Sequence, residues 1–437
     1  MKRKFIKMSS LVMAGALGAS VLLTGCADAG KVNDNKPRST EVMEFEEESN
    51  VSASDISEAC MTSGYEMLIR NLEQADENSN VMISPVSISL ALEMAAMGAE
   101  GDTYDQMAEI LGNGASKYDF DEYVQDYMKS IKKDKALVLA NSIWLDENRL
   151  EEKNYVLSDE YMNLMEDHFK AGANSVDFKD KDTVDLINEW VADNTDDMID
   201  EVIDGIDDNT MMYLINAACF EGTWAKEYTE YQIDKNGIFT NANGKEEHVT
   251  MLNSTEGYLC YSDNATGFLK YYDGDRYAFM AILPDDESLS LQEFSELFSE
   301  DEFVSFYNNS TSGSDVIAKM PVFSFDYDVE LNGILEDMGM EDAFSGNKAD
   351  FSSMAYTTDD DHNLCIGSVI HKTHIELDEK GTKAAAVTVV EMKDNEACAM
   401  PDPSEPIEVI LDRPFMFAIM DTEYDVPVFI GAVNTVE

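Results

Sequence analysis

Residues Ile375–Met400 read IELDEKGTKAAAVTVVEMKDNEACAM, and the fold hangs on how this stretch behaves. It opens as an acidic, alternating strand, passes Gly381-Thr382, and continues as a run of very small or β-branched residues. It then dissolves into a polar, cysteine-containing segment ahead of the turn signals in Pro401-Asp402-Pro403-Ser404. Side chains of a strand alternate faces with period two. On that period Thr382, Ala384, Ala386, Thr388 and Val390 share one face, and all are small or β-branched. Lys383, Ala385, Val387, Val389 and Glu391 share the other. The stretch can enter a sheet, yet it ends like an exposed loop. Gly381, just ahead of this run, is free of side-chain hindrance.

The surrounding chain of 437 residues is long enough for one large core or two medium ones. A formal charge of −58 argues against nucleic acid, whose binding rests on Lys and Arg neutralising phosphates. Such a surface is read as solvated. At the N-terminus, Lys2-Arg3-Lys4 precedes an apolar stretch from Leu11 to Leu23 that is too short for a membrane span. It ends in Leu23-Thr24-Gly25-Cys26, which resembles the bacterial lipoprotein box. That resemblance implies a signal peptide over 1–25 and a lipid on Cys26 that anchors the exported protein at the bacterial surface. Residues 26–54 read as an acidic, disordered tether containing Glu46-Glu47-Glu48. Five scattered cysteines remain, without CxxC spacing. Cys60, Cys219, Cys260 and Cys365 are expected as buried thiols, and Cys398 falls in the loop.

Beyond residue 55 helices and strands mix without a βαβ beat, so one α+β domain over 55–437 is expected. Asp55 and Glu58 are a plausible capping pair for a first helix carrying Tyr65, Leu68, Ile69 and Leu72 on one face. Ser84-Pro85 leads into a helix from Ser87 to Met97 that is apolar almost all round, as a central helix would be. Two apolar runs, Ala136–Leu145 and Met211–Trp224, do not alternate and read as strands covered on both faces. Helical patterns cover Tyr161–Phe169 and Val184–Val191. Further strand-like runs lie at Ile317–Phe325 and Ile366–Leu377.

No nucleophile turn, phosphate loop, HExxH or dinucleotide fingerprint is present. His371 and His374 are three apart on a strand and face opposite ways, so they do not share a metal; His371 reads as a hydrogen-bonded core histidine. No cofactor and no metal are expected, and the chain is not read as an enzyme.

Five ordered motifs now resemble the serpins, a family of protease inhibitors, over Asp55–Glu437. They are Asn80–Leu111, with SPVSI and GAEGDTYDQMAEIL; Asn216–Trp224, with the pattern N…F-x-G-x-W; Ala349-Asp350-Phe351-Ser352; His371–Thr382, with H-K…E-x-G-T; and Val409–Ile419, with Asp412-Arg413-Pro414-Phe415. The resemblance implies three β-sheets with a dominant central one, about nine helices, and an exposed reactive-centre loop at about 381–405 that inserts into that sheet once cut. The partner it implies is a target protease, trapped as a covalent acyl-enzyme by a monomeric inhibitor. The alternative is a serpin-fold binding protein that proteases merely cleave.

By the same resemblance Glu379, Gly381, Thr382, Ala384, Ala385 and Ala386 form the hinge. His371 is the shutter histidine, with Ser84, Ser87 and Asn216 as polar neighbours, and Trp224 stands where insertion begins. Lys383 departs from the family's acidic residue, mildly so on an outward face. Counting about fifteen residues from Gly381 places the cleaved bond at Asn395-Glu396, after Asp394. Counting back from the C-terminal signature lands near Met400–Pro403 instead, because the span from Gly381 to Pro414 is longer than in familiar members. A fixed inserting length favours Asn395.

Overall fold

The computed structural model describes residues 41–45, 49–133, 136–207, 210–357, 363–382 and 407–436. The leader, Cys26, Ala384, Ala385, Ala386, Cys398 and the candidate bond residues Asp394, Asn395, Glu396 and Met400 lie outside the described residues. The last part of the segment read as a tether is packed: Val42, Met43, Phe45 and Val51 lie against the core. Asn163 Nδ2 donates to the Glu41 carbonyl at 2.7 Å, and the Ser49 N–H donates to Asp119 Oδ2 at 3.1 Å. Acidic composition hid these few apolar side chains.

Helix α1, Ala53–Gln74, is capped three residues earlier than the Asp55–Glu58 pair would place it. Ser52 Oγ accepts from the Asp55 N–H, and the Asp55 carboxylate accepts from the Ser52 N–H at 2.7 Å. The box is therefore Ser52 with Asp55. Helix α2, Pro85–Gly98, has proline in its first turn and every residue buried, which is why its sequence shows no polar stripe. Helices α3, Gly101–Gly112, and α4, Lys117–Ile131, follow. The expected helix over Tyr161–Phe169 is a short α-helix, Asp159–Leu164, continued by a π-turn, Met165–Phe169.

The central sheet contains β1 Leu137–Asp146, β2 Gly172–Val176, β3 Met212–Phe220, β4 Gly222–Thr223, β5 Phe323–Glu330, β6 Ser368–Leu377 and β7 Gly381–Thr382. Its order is β2-β1-β3-β6-β7-β4, with β5 on the far edge of β6. Strands β3 and β6 are parallel neighbours, registered from Tyr213–Ser368 to Ala218–Thr373. The apolar run Met211–Trp224 thus divides into β3 and β4. The run Ile317–Phe325 also divides: Thr311–Pro321 joins a second sheet, and β5 joins this one. Pro321, with no N–H to give, ends the first ladder.

That second sheet has nine strands, and a two-stranded third pairs Val156–Leu157 with Ala355–Tyr356. With ten α-helices among the described residues, the architecture is α+β with three sheets. The inner face of the central sheet rests on α2 and the main core. Helix α5, Thr183–Asn194, covers the outer face. Met212, Leu214, Ala218 and Phe220 join the main core, while Tyr213, Ile215, Ala217 and Cys219 pack with Ile187 and Val191 outside. Both faces of β3 are covered, so its sequence is continuously apolar. Cys60, Cys219 and Cys260 are buried; Cys365 is only half-buried, contrary to expectation.

Candidate functional site

Two clusters on this sheet gather the residues singled out above. The first lies at the top, where β6 turns back on itself. Asp378 Oδ1 accepts from the N–H groups of Lys380 at 2.7 Å and Gly381 at 3.1 Å, and the Asp378 N–H donates to the Gly381 carbonyl at 2.8 Å. This tight turn sends Gly381-Thr382 back down the sheet as β7. Leu377 pairs with Thr382 on one side; Thr223 and Gly222 pair with Gly381 and Thr382 on the other. A Cβ on Gly381 would stand 1.9 Å from the Gly222 carbonyl oxygen, so no other residue permits this approach of two backbones.

Trp224, buried, holds the turn from outside the sheet's end. Its N–H donates to the Lys380 carbonyl at 2.8 Å and its Nε1 to the Asp378 carbonyl at 3.0 Å. The Tyr228 N–H donates to the Glu379 carbonyl at 3.2 Å, so three consecutive carbonyls of the turn are bound. Trp224 stacks on Tyr272 with centroids 4.4 Å apart, and the Tyr272 hydroxyl lies 2.7 Å from Thr382 Oγ1. Thr382 is 1% exposed. Tyr272 escaped the sequence reading; the Asp273-Gly274 turn signal beside it marks a strand end and was the available clue.

The second cluster lies at mid-sheet, beneath the seam between β3 and β6. His371 and Asn216 stand opposite each other across that seam and are fully buried. The Ser84 N–H, at the start of α2, donates to His371 Nε2 at 2.9 Å. Nε2 is therefore the acceptor, so Nδ1 carries the proton and donates to Asn216 Oδ1. Asn216 Nδ2 in turn donates to Ser87 Oγ and to Asn141 Oδ1, both at 2.6 Å. Burial pulls the His371 pKa down to about 3, against a weaker opposing pull from its bond to Asn216. The imidazole is neutral, with both nitrogens committed to hydrogen bonds.

Ser84 serves through its backbone, its hydroxyl making no hydrogen bond, and Ser87 reaches Asn216 rather than the imidazole. Asn141 is the member not foreseen, although an Asn inside the apolar run ALVLANSIWL marks a buried polar group that needs partners. Neither cluster presents a nucleophile beside a base. Both hold strands together. Among the described residues no group of three His, Cys, Asp or Glu side chains is placed to bind a metal ion.

These features agree with comparison to known proteins. A family model described as Serpin (serine protease inhibitor) matches residues 66–436. An uncharacterized serpin-like protein of Methanosarcina acetivorans is 29% identical over 370 residues, covering 83% of this chain and 82% of its own. The native-state crystal structure of a thermophilic serpin, Tengpin, superposes with a TM-score of 0.77 at 36% identity, covering 90% of this chain and 97% of that one. Human thyroxine-binding globulin in complex with its hormone shares the fold at 24% identity and a TM-score of 0.74, covering 88% and 99%. A turn paired into the sheet at Gly381-Thr382, a closed polar seam and a match across most of the chain lead to one assignment: the protein belongs to the serpin family.

Proposed function

We propose that the protein is a suicide-substrate inhibitor of extracellular serine or cysteine proteases, whose cut loop inserts between β3 and β6 and traps the acyl-enzyme. One observation carries this reading. Thr382 stands between Gly222 and Leu377, two positions 155 apart in sequence (377 − 222). The pairs of β3 and β6 are also 155 apart, as in Tyr213–Ser368 (368 − 213). A strand continuing from Thr382 therefore fits between β3 and β6 with no slip in their register. The sheet needs only to part sideways.

In that register Ala384 would stand between Phe220 and Ile375, Ala386 between Ala218 and Thr373, and Thr388 between Asn216 and His371. Glu391 would reach Tyr213 and Ser368, where the present pairing begins. The inward residues are small where the core is crowded, and the one hydroxyl at mid-strand falls on the polar seam. Outward, Lys383 would stand between Glu221 and Glu376, giving this chain's lysine two carboxylates where a glutamate would meet repulsion. A loop with this fit in the open state is expected of an inhibitor rather than of a plain binding protein.

The test is a panel of serine and cysteine proteases run against the full chain. The expected result is an SDS-resistant complex with at least one of them, and a rise in thermal midpoint after loop cleavage. A cleaved protein that melts where the intact one does would sink the proposal. Mass spectrometry of the cleaved chain decides between the bond after Asn395 and those after Asp394 or Met400. The lipid anchor rests on the leader sequence alone; a Cys26→Ala chain that still partitions with membranes would refute it.

A further inference from the structure

Lys270 is 3% exposed, on the strand Ala265–Tyr271 of the second sheet, directly beneath the segment that holds the hinge. Its Nζ lies 5.2 Å from the Trp224 ring centroid and 4.4 Å from that of Tyr228. The same nitrogen donates to the Lys226 carbonyl at 3.4 Å and to Glu256 Oε1 at 3.1 Å. Ser254 Oγ donates to that carboxylate at 2.6 Å and lies 3.4 Å from the Tyr228 hydroxyl. One buried cation thus touches both ends and the middle of residues 224–228, and the two ends carry the N–H groups that bind Asp378, Glu379 and Lys380.

Core packing does not require a lysine here. A buried ion pair costs desolvation, and apolar residues of similar volume commonly leave a fold equally or more stable. Burial does depress the Lys270 pKa, with Glu256 opposing the shift. What an apolar residue cannot supply is attraction for two aromatic faces and a carbonyl at once.

We infer that Lys270, held by Glu256, is a positioning residue that pins the 224–228 segment and so keeps Gly381-Thr382 seated in the sheet. The pin leaves the chemistry at the cut bond untouched. It sets how often the loop is cut with its first strand residues already in place, and this second step rests on the inhibitory reading. Where the hinge leaves its seat, insertion must begin anew while the acyl-enzyme is free to hydrolyse.

The experiment compares the wild-type full chain with K270R, E256Q and the double variant K270M/E256Q. Hydrogen–deuterium exchange is followed over peptides covering residues 222–229 and 377–382, beside thermal unfolding. In K270M/E256Q these amides should exchange about tenfold faster, with a thermal midpoint at or above wild type, and E256Q should fall between. K270R, which keeps the cation, should restore protection. Unchanged hinge exchange in K270M/E256Q would overturn the inference, as would a rise spread evenly over the chain with a lowered midpoint. Against a protease that wild type traps, K270M/E256Q should be cleaved without trapping at least about twice as often. A wild type that traps nothing ends the inhibitory reading and leaves the exchange result to judge the pin.

Discussion

The top and the middle of the central sheet share β6 and the run Met211–Trp224, and they stand in opposite states. At the top, β7 already lies between β6 and β4 in the pairing an inserted strand would use. At the middle, β3 and β6 are closed on each other, and His371, Asn216, Ser87 and Asn141 are bonded across and beneath the seam. The top is held by backbone pairing and stacked rings, which survive insertion. The middle is held by the parallel backbone ladder of β3 and β6 and by the His371–Asn216 side-chain bond, and an entering strand would have to break both. On the inhibitory reading proposed above, the top would be a nucleus for insertion and the middle the barrier to it.

The sharpest way to break the comparison is to deny the top its strand. Thr382 occupies a slot walled by Gly222, Leu377 and Tyr272. Arginine there would have to bury an unpaired charge, a cost of several kcal/mol, so the hinge should leave the sheet. Thr382→Arg is expected to fold, to be cut by the protease that wild type traps, and to form no SDS-resistant complex. Its cleaved form should melt with the intact protein. A trapped complex with this variant would show that the seat is irrelevant to insertion.

Next in size is an attack on the middle. Asn216→Ala removes the acceptor of His371 Nδ1–H and leaves that donor and Ser87 short of partners in a dry interior. A loss of about 3 kcal/mol is expected from denaturant unfolding. Hinge exchange at 377–382 should stay as in wild type. The variant should also pass to an inserted form on storage, seen as a fraction resistant to heat.

Acid tests the same bond without a mutation. His371 titrates at about 3 when folded and from 6.5 when its surroundings are lost. Below pH 6.5 the unfolded chain takes up a proton that the folded chain refuses, so this contribution is complete above pH 6.5 and falls away in acid. Between pH 6.5 and pH 5 about 2 kcal/mol should go. Carboxylates titrate in the same range, so the measurement is the difference in slope between wild type and His371→Gln. Equal slopes would mean that His371 is not held neutral by burial.

Much of this contrast was legible in the chain, and unevenly so. Period-two alternation over Thr382–Val390 described a strand without a place, and the non-alternating run at 211–224 described a strand covered on both faces. Those are statements about backbone and burial, which sequence patterns carry. Ser84 was foreseen at the seam only as a polar neighbour of His371, because a pattern cannot tell a side chain's work from that of the peptide N–H beside it. Tyr272, Asn141 and Lys270 were missed for another reason. Each acts on residues distant in the chain, 54 positions away for Asn141 with Ser87, 44 for Lys270 with Lys226 and 110 for Tyr272 with Thr382, and no local period encodes such pairings. The tether was drawn too long because a few apolar side chains count for little in composition and for much in packing.

The smallest expected effect asks whether top and middle are separate devices. Tyr272→Phe keeps the ring against Trp224 and removes only the hydroxyl beside Thr382. The loss should be about 1 kcal/mol, seen as roughly fivefold faster exchange at 377–382 with little change in global unfolding. Tyr272 and Asn216 share no partner, since one bonds Thr382 and the other bonds His371, Ser87 and Asn141. Effects on unshared partners add, so Tyr272→Phe combined with Asn216→Ala should lie within about 0.5 kcal/mol of the sum of the single changes. A coupling well above that would mean the seam feels the hinge while the sheet is still closed. Seat and seam would then be one switch with two handles, and the barrier would begin to fall before any protease cuts the loop.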